Sequence, residues 1–172
     1  MMEPVSSSIL ALTGMVIKGL ELVHKRREGK LNEDEARQLY AKIFSSLLWE
    51  VKQNLDRCFL IKIKFEEENI ISAGVLSFFV RESLFPDFCI MCPEPRVIAC
   101  LNEIYSAFER IHHWQRLTVN FSSENARFII GYAKDMFEDK KLHDKYNDLI
   151  LVLTNLAPRE HIPDQFKAIT KS

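Results

Sequence analysis

Glycine is scarce in this chain, with five residues among 172. None belongs to a Gly-x-Ser-x-Gly elbow or a phosphate-cradling glycine loop, so the sequence offers no signature of acyl transfer or nucleotide chemistry. A dominant charge is also missing. Lys and Arg number 23 against 24 Asp and Glu, a formal charge of -1, which excludes a global basic field for nucleic acid and an acidic excess favouring disorder. No apolar run reads as a membrane span. The nearest, Val5 to Val23, carries Lys18, Glu21, three Ser and two Gly, well short of the roughly 20 apolar residues a span needs. Met1 to Leu10 lacks a basic region followed by an apolar stretch and a cleavage site. The four Cys are therefore expected as free thiols in a reducing cytoplasm.

What the chain does have is helix-forming pattern. With 47% hydrophobic residues, its length suits one well-filled core, so a single domain over 1–172 is expected. It divides into an amphipathic N-terminal helix (1–30), a helical core (31–157) and a polar tail (158–172). The run from Asn32 to about Leu60 organises the rest. Leu39, Tyr40, Ile43, Phe44, Leu47, Leu48, Val51, Leu55, Cys58 and Phe59 recur at three- and four-residue steps, which sets them on one broad face. Asn32 and Glu35 have the spacing of a capping box, and Glu33 and Asp34 suit the positive end of the helix dipole.

The N-terminal helix is expected to turn Val5, Ile9, Leu12, Val16, Leu20 and Val23 inward and to stop at Gly29. Ile61 to Phe65 alternates and reads as the fraying end of the long helix or a connector, with a short strand pairing Leu117, Val119 and Phe121 as a minor alternative. Glu66 to Glu68 reads as the acidic start of the next helix, the most enclosed of the set, ending at Pro86. Pro95 opens another, with Val97, Leu101, Ile104, Tyr105, Phe108, Ile111 and Gln115 as its seam. A shorter helix follows Ser122 or Ser123, and a last one turns Leu142, Tyr146, Leu149, Ile150, Leu153 and Leu156 inward up to Pro158. The fold class is all-α: a bundle of five or six mostly antiparallel helices, with a minor two-strand element as an option.

Several residue sets carry candidate chemistry. Cys89 and Cys92 have the spacing of half a zinc site or a dithiol motif, with Cys58, Cys100, His112 and His113 as further ligands, or they simply pack. Glu-x-x-His occurs twice, as Glu21 with His24 and Glu109 with His112. With Glu50 and Glu82 these could form a di-iron-type carboxylate site. Glu21 and Glu109 lie one position off their seams, and basic residues follow His24, which points to solvent instead. The Arg-then-His signature of small helical nucleases is unmatched, because Arg110 precedes His112 and His113 too closely. Trp49 lies on the polar side of the central helix with Lys42 and Gln53, the pattern of a contact surface. Asn54 and Glu50 are polar residues expected to be buried, and such groups need hydrogen-bond partners.

The leading expectation is a non-catalytic protein-interaction or regulatory module that self-associates through the Trp49 side, with no cofactor and no nucleic-acid partner. A metal-binding helical enzyme or sensor is the alternative. A lesser one is a peripheral protein at the inner face of the membrane, touching anionic lipid through Lys25, Arg26 and Arg27.

Overall fold

The structure, a computed structural model, describes residues 14, 17, 19–21, 23–26, 28–68, 76–118 and 140–156. Of residues 61–68, 114–115, 117–118, 140–141 and 156 only the backbone is described. The described residues between 14 and 26 are helical. Among the described residues four helices follow: α1 (Glu33–Glu68), α2 (Phe79–Met91), α3 (Pro95–Thr118) and α4 (Lys140–Leu156). The domain is an all-α bundle.

Local chemistry fixes the corner before α1. Gly29 sits at φ 68°, the left-handed region where an L side chain is strained. Its N–H donates to the Arg26 carbonyl at 2.9 Å, and the Lys30 N–H donates to that of Lys25 at 3.0 Å. These two bonds define a Schellman motif. The next helix begins at once with the capping box: Asn32 N–H donates to Glu35 Oε2 at 2.9 Å, and Glu35 N–H to Asn32 Oδ1 at 2.8 Å.

The core is the apolar stripe of α1 enclosed by the other helices. Leu39, Ile43, Phe44, Leu47, Leu48 and Val51 are all but inaccessible, as are Val80, Leu84 and Phe88 of α2 and Leu101, Ile104, Tyr105 and Phe108 of α3. Leu149, Ile150 and Leu153 bring α4 to the same core. Tyr40 pairs with Phe88, Glu50 with Val80 and Asn54 with Ser77, so α1 and α2 run antiparallel. Phe85 against Tyr105, Arg81 against Glu109 and Phe78 against His112 set α2 antiparallel to α3 in the same way.

Several expectations are corrected. Residues 61–65 and Leu117 are helical, so no strand pair forms there among the described residues; five alternating residues without a breaker simply continue the α1 hydrogen-bond ladder. Glu66 to Glu68 close α1 rather than open its neighbour. Pro86 lies inside α2. Its ring is exposed and the carbonyl it leaves without a donor belongs to exposed Glu82, where water can satisfy it. The connector is thereby reduced to residues 92–94, and α2 is not enclosed on all sides, since Phe79 and Ile90 face solvent. Leu20 is exposed, while Gly19 and Val23 are buried. A Cβ at Gly19 would meet the Leu84 methyls at 3.2 and 3.3 Å. Phe59 is exposed as well: α2 starts opposite Asn54, so the remainder of α1 extends beyond its first turn. The expected helix over 122–137 and the tail lie outside the described residues.

Replacing Asn32 with Ala removes one half of the capping box and is expected to lower the unfolding free energy by about 1 kcal/mol, with Asn32→Asp largely spared. Urea denaturation followed by circular dichroism measures both.

Candidate functional site

The polar centre of the bundle forms because α2 starts without a cap of its own. Its N-cap is Phe78, which has no side-chain oxygen, so the first amides of the helix must find acceptors elsewhere. Glu50 of α1 supplies them. Its Oε1 accepts the Val80 N–H at 2.9 Å and its Oε2 the Arg81 N–H at 3.0 Å. Ser77 Oγ donates to Oε1 at 3.0 Å, and the Tyr105 hydroxyl of α3 lies 3.0 Å from Oε2. One turn further along α1, Asn54 holds Ser77 by both backbone groups: Nδ2 donates to its carbonyl at 2.7 Å and Oδ1 accepts its N–H at 2.8 Å. Glu50 and Asn54 are both at 0% exposure. Spaced four residues apart, they share one face and grip the head of α2.

Burial raises the Glu50 carboxyl above its usual range; the donors from Val80, Arg81, Ser77 and Tyr105 pull the other way and offset this only in part. A proton on Glu50 has somewhere to go. It can be donated to the Tyr105 oxygen, whose own hydrogen then points at the Leu47 carbonyl 3.3 Å away. Tyr105 is pushed well up, first by burial and then by the charge of Glu50. Outside this knot, Arg81 stacks over the Tyr105 ring at 5.2 Å and pairs with Glu109. Phe78 meets His112 edge-on at 5.8 Å, and His112 Nδ1 is buried without a hydrogen bond among the described residues.

The chain matches no family model, no curated protein and no solved structure. Both oxygens of Glu50 are occupied by donors of the same chain, and Tyr105 is fully enclosed, so this constellation acts as a helix cap supplied by a neighbour.

The remaining candidates are dispersed. Among the described residues no three His, Cys, Asp or Glu converge as a metal site. Exposed His24 pairs with Glu28 at 3.1 Å, Glu21 is exposed, and Glu109 is held by Arg81. Cys92 lies 3.3 Å from the Tyr40 hydroxyl and from the Glu94 carbonyl, while Cys89 is half-buried in the last turns of α2. Burial pushes the Cys89 thiol up, and Cys92 adds to the shift; the Cys58 thiol is pushed up to about 12 by burial alone. Neither is primed as a thiolate. Trp49 and Gln53 are half-buried and Lys42 is exposed. Trp49 packs against the core, so its own chain covers part of the ring. Sequence reading missed Ser77 and Arg81, and it placed Tyr105 on the inward seam without its polar role. The available signal was a helix start at Phe78-Phe79 with no capping side chain.

Glu50→Leu leaves the Val80 and Arg81 amides without acceptors and is expected to cost about 2–5 kcal/mol, against about 1–3 for Glu50→Gln, which keeps one oxygen. The pH dependence has a definite sign. Because the folded-state value is raised, Glu50 contributes a loss of stability as pH climbs from the ordinary carboxylate range through its raised value, and Glu50→Gln should flatten that slope in urea titrations.

Proposed function

We propose that the chain is a non-catalytic interaction module whose partner is a second copy, docked on the C-terminal part of α1. One observation carries the reading. Phe59 and Leu60 are 61% and 52% exposed on a helix whose other large apolar side chains, among those described, are buried or packed on the core. Adjacent exposed aromatic and aliphatic residues on one element suit an interface better than scattered single ones. The exposed Lys52–Asp56 pair at 2.7 Å lies just before them and would serve as polar rim. Charge order argues for a copy of the same chain. Lys52 precedes Phe59 by as many residues as Glu67 follows Leu60, so an identical helix running the other way across that pair sets position 52 level with the acidic run of Glu66, Glu67 and Glu68, the opposite-sign match a two-fold interface favours.

The contact surface is thus displaced from the expected Trp49, Gln53 and Lys42 patch toward the end of the same helix. Four free cysteines suit the reducing cytoplasm. No helix among the described residues is long and apolar enough to cross a membrane.

Sedimentation velocity over a concentration series tests the proposal. Dimerisation is expected, weakened by at least about tenfold in Phe59→Ser/Leu60→Ser and unchanged in Trp49→Phe. A monomer at every concentration, or a double variant that dimerises like the parent, defeats it.

A further inference from the structure

At the opposite end of α1, three lysines from consecutive pieces of chain converge on one cleft. Lys25 comes from the N-terminal segment, Lys30 from the link and Lys42 from α1; with Leu31, Glu35, Gln38 and Leu39 they line a space of about 340 Å³. The Schellman turn at Gly29 and the capping box at Asn32 force this convergence by folding the chain back within a few residues. Along α1, Glu35, Gln38, Leu39 and Lys42 follow the spacing of a single helix face.

Like charges gathered in a concavity repel unless an anion joins them. Two carboxylates stand beside the lysines, and neither takes Lys25 or Lys42. Glu28 takes Lys30 at 2.6 Å and His24 at 3.1 Å, and Glu35 Oε2 accepts the Asn32 amide. Among the described residues no carboxylate pairs with Lys25 or Lys42. Buried Leu39 and half-buried Leu31 give the cleft an apolar floor. Its volume falls at the small end of ligand sites, which start at about 300 Å³.

We infer that this cleft binds a phosphate monoester: Lys25 and Lys42, with Lys30 shared with Glu28, neutralise the phosphate, the Gln38 amide gives it direction, and Leu31 meets the organic part. The monoester is carried either by a lipid headgroup or by a small soluble molecule. This site is independent of the self-association surface, since it uses none of its residues.

The test uses the full chain with two probes, glycerol phosphate by calorimetry and phosphatidylcholine vesicles containing phosphatidic acid by co-sedimentation. Saturable binding at low salt that weakens as salt rises is expected for at least one probe. Lys42→Gln and Lys25→Gln/Lys30→Gln should each weaken it by at least about tenfold, while Arg96→Gln on α3 should not; circular dichroism verifies that every variant is folded. Vesicle binding that needs these lysines assigns the headgroup. Glycerol phosphate binding with vesicles ignored assigns a soluble ligand. No binding of either probe at low salt, lysine variants that bind like the parent, or an equal loss in Arg96→Gln overturns the site.

Discussion

The bundle depends on a carboxylate in its interior holding the start of a neighbouring helix. Phe78 and Phe79 open α2 with no capping side chain, and the amides of Val80 and Arg81 would be buried and unpaired without Glu50. A carboxylate offers two acceptor oxygens to two consecutive N–H groups and places negative charge at the positive end of the helix dipole. A single contact thus fixes several things together. It sets the register between α1 and α2, and through the Tyr105 hydroxyl it draws in α3. Asn54 then locks the chain entering α2 by both backbone groups of Ser77. Slipping α2 by one residue would strand all of these partners in an apolar core.

Such an arrangement fixes one register between the helices, and it does so at a cost in desolvation. Taking a carboxylate out of water is costly, and the raised carboxyl of Glu50 shows that its donors do not fully offset desolvation. The aromatic wall around it supplies the apolar contribution. Tyr40, Phe44, Phe85, Phe88, Tyr105 and Phe108 form a run of ring contacts with centroids 5.3–6.3 Å apart. Apolar burial of these rings is non-directional as a driving force, whereas a buried carboxylate with defined donors requires each of them in place. Gly19 extends the same logic to the N-terminal segment. A Cβ at this position would press on the Leu84 methyls, which would have to give by a few tenths of an ångström.

Local chemistry was legible in the sequence and distant chemistry was not. The start of α1 could be read because Asn32 and Glu35 satisfy one another within a single turn. The inward stripe of α3 could be read because a 3.6-residue period needs no knowledge of the partner. The end of α1 could not. Alternation over residues 61–65 suits a strand and an uninterrupted helix alike, and an acidic triplet favours a helix start although here it stands at a helix end. Pro86 misled because its effect depends on which way its ring faces. The roles of Glu50 and Tyr105 were hidden for a stronger reason: their partners lie far away in sequence, and no local pattern encodes which polar group will meet which amide. Asn54 stood out within an apolar stripe, yet its partner at Ser77 emerges only from the packing of α2.

Helix length explains why the two ends of α1 differ from its middle. At about 1.5 Å per residue, its 36 residues extend about 54 Å, whereas the 13 of α2 cover about 20 Å and the 24 of α3 about 36 Å. Helices of such unequal length cannot cover one another end to end. The Glu50 grip decides where the overlap falls, because it pins the first turn of α2 near the middle of α1. Whatever lies beyond that point on α1 is out of reach of α2, which is why Phe59 and Leu60 stay exposed although the same helix buries Leu47, Leu48 and Val51 completely. Toward the other end, Tyr40 still reaches the last residues of α2 through Phe88 and Cys92. Before it the helix start is free to form a corner with the preceding segment. The exposed apolar end and the lysine-lined corner are therefore two consequences of one registration, and both would shift if the carboxylate held a different turn.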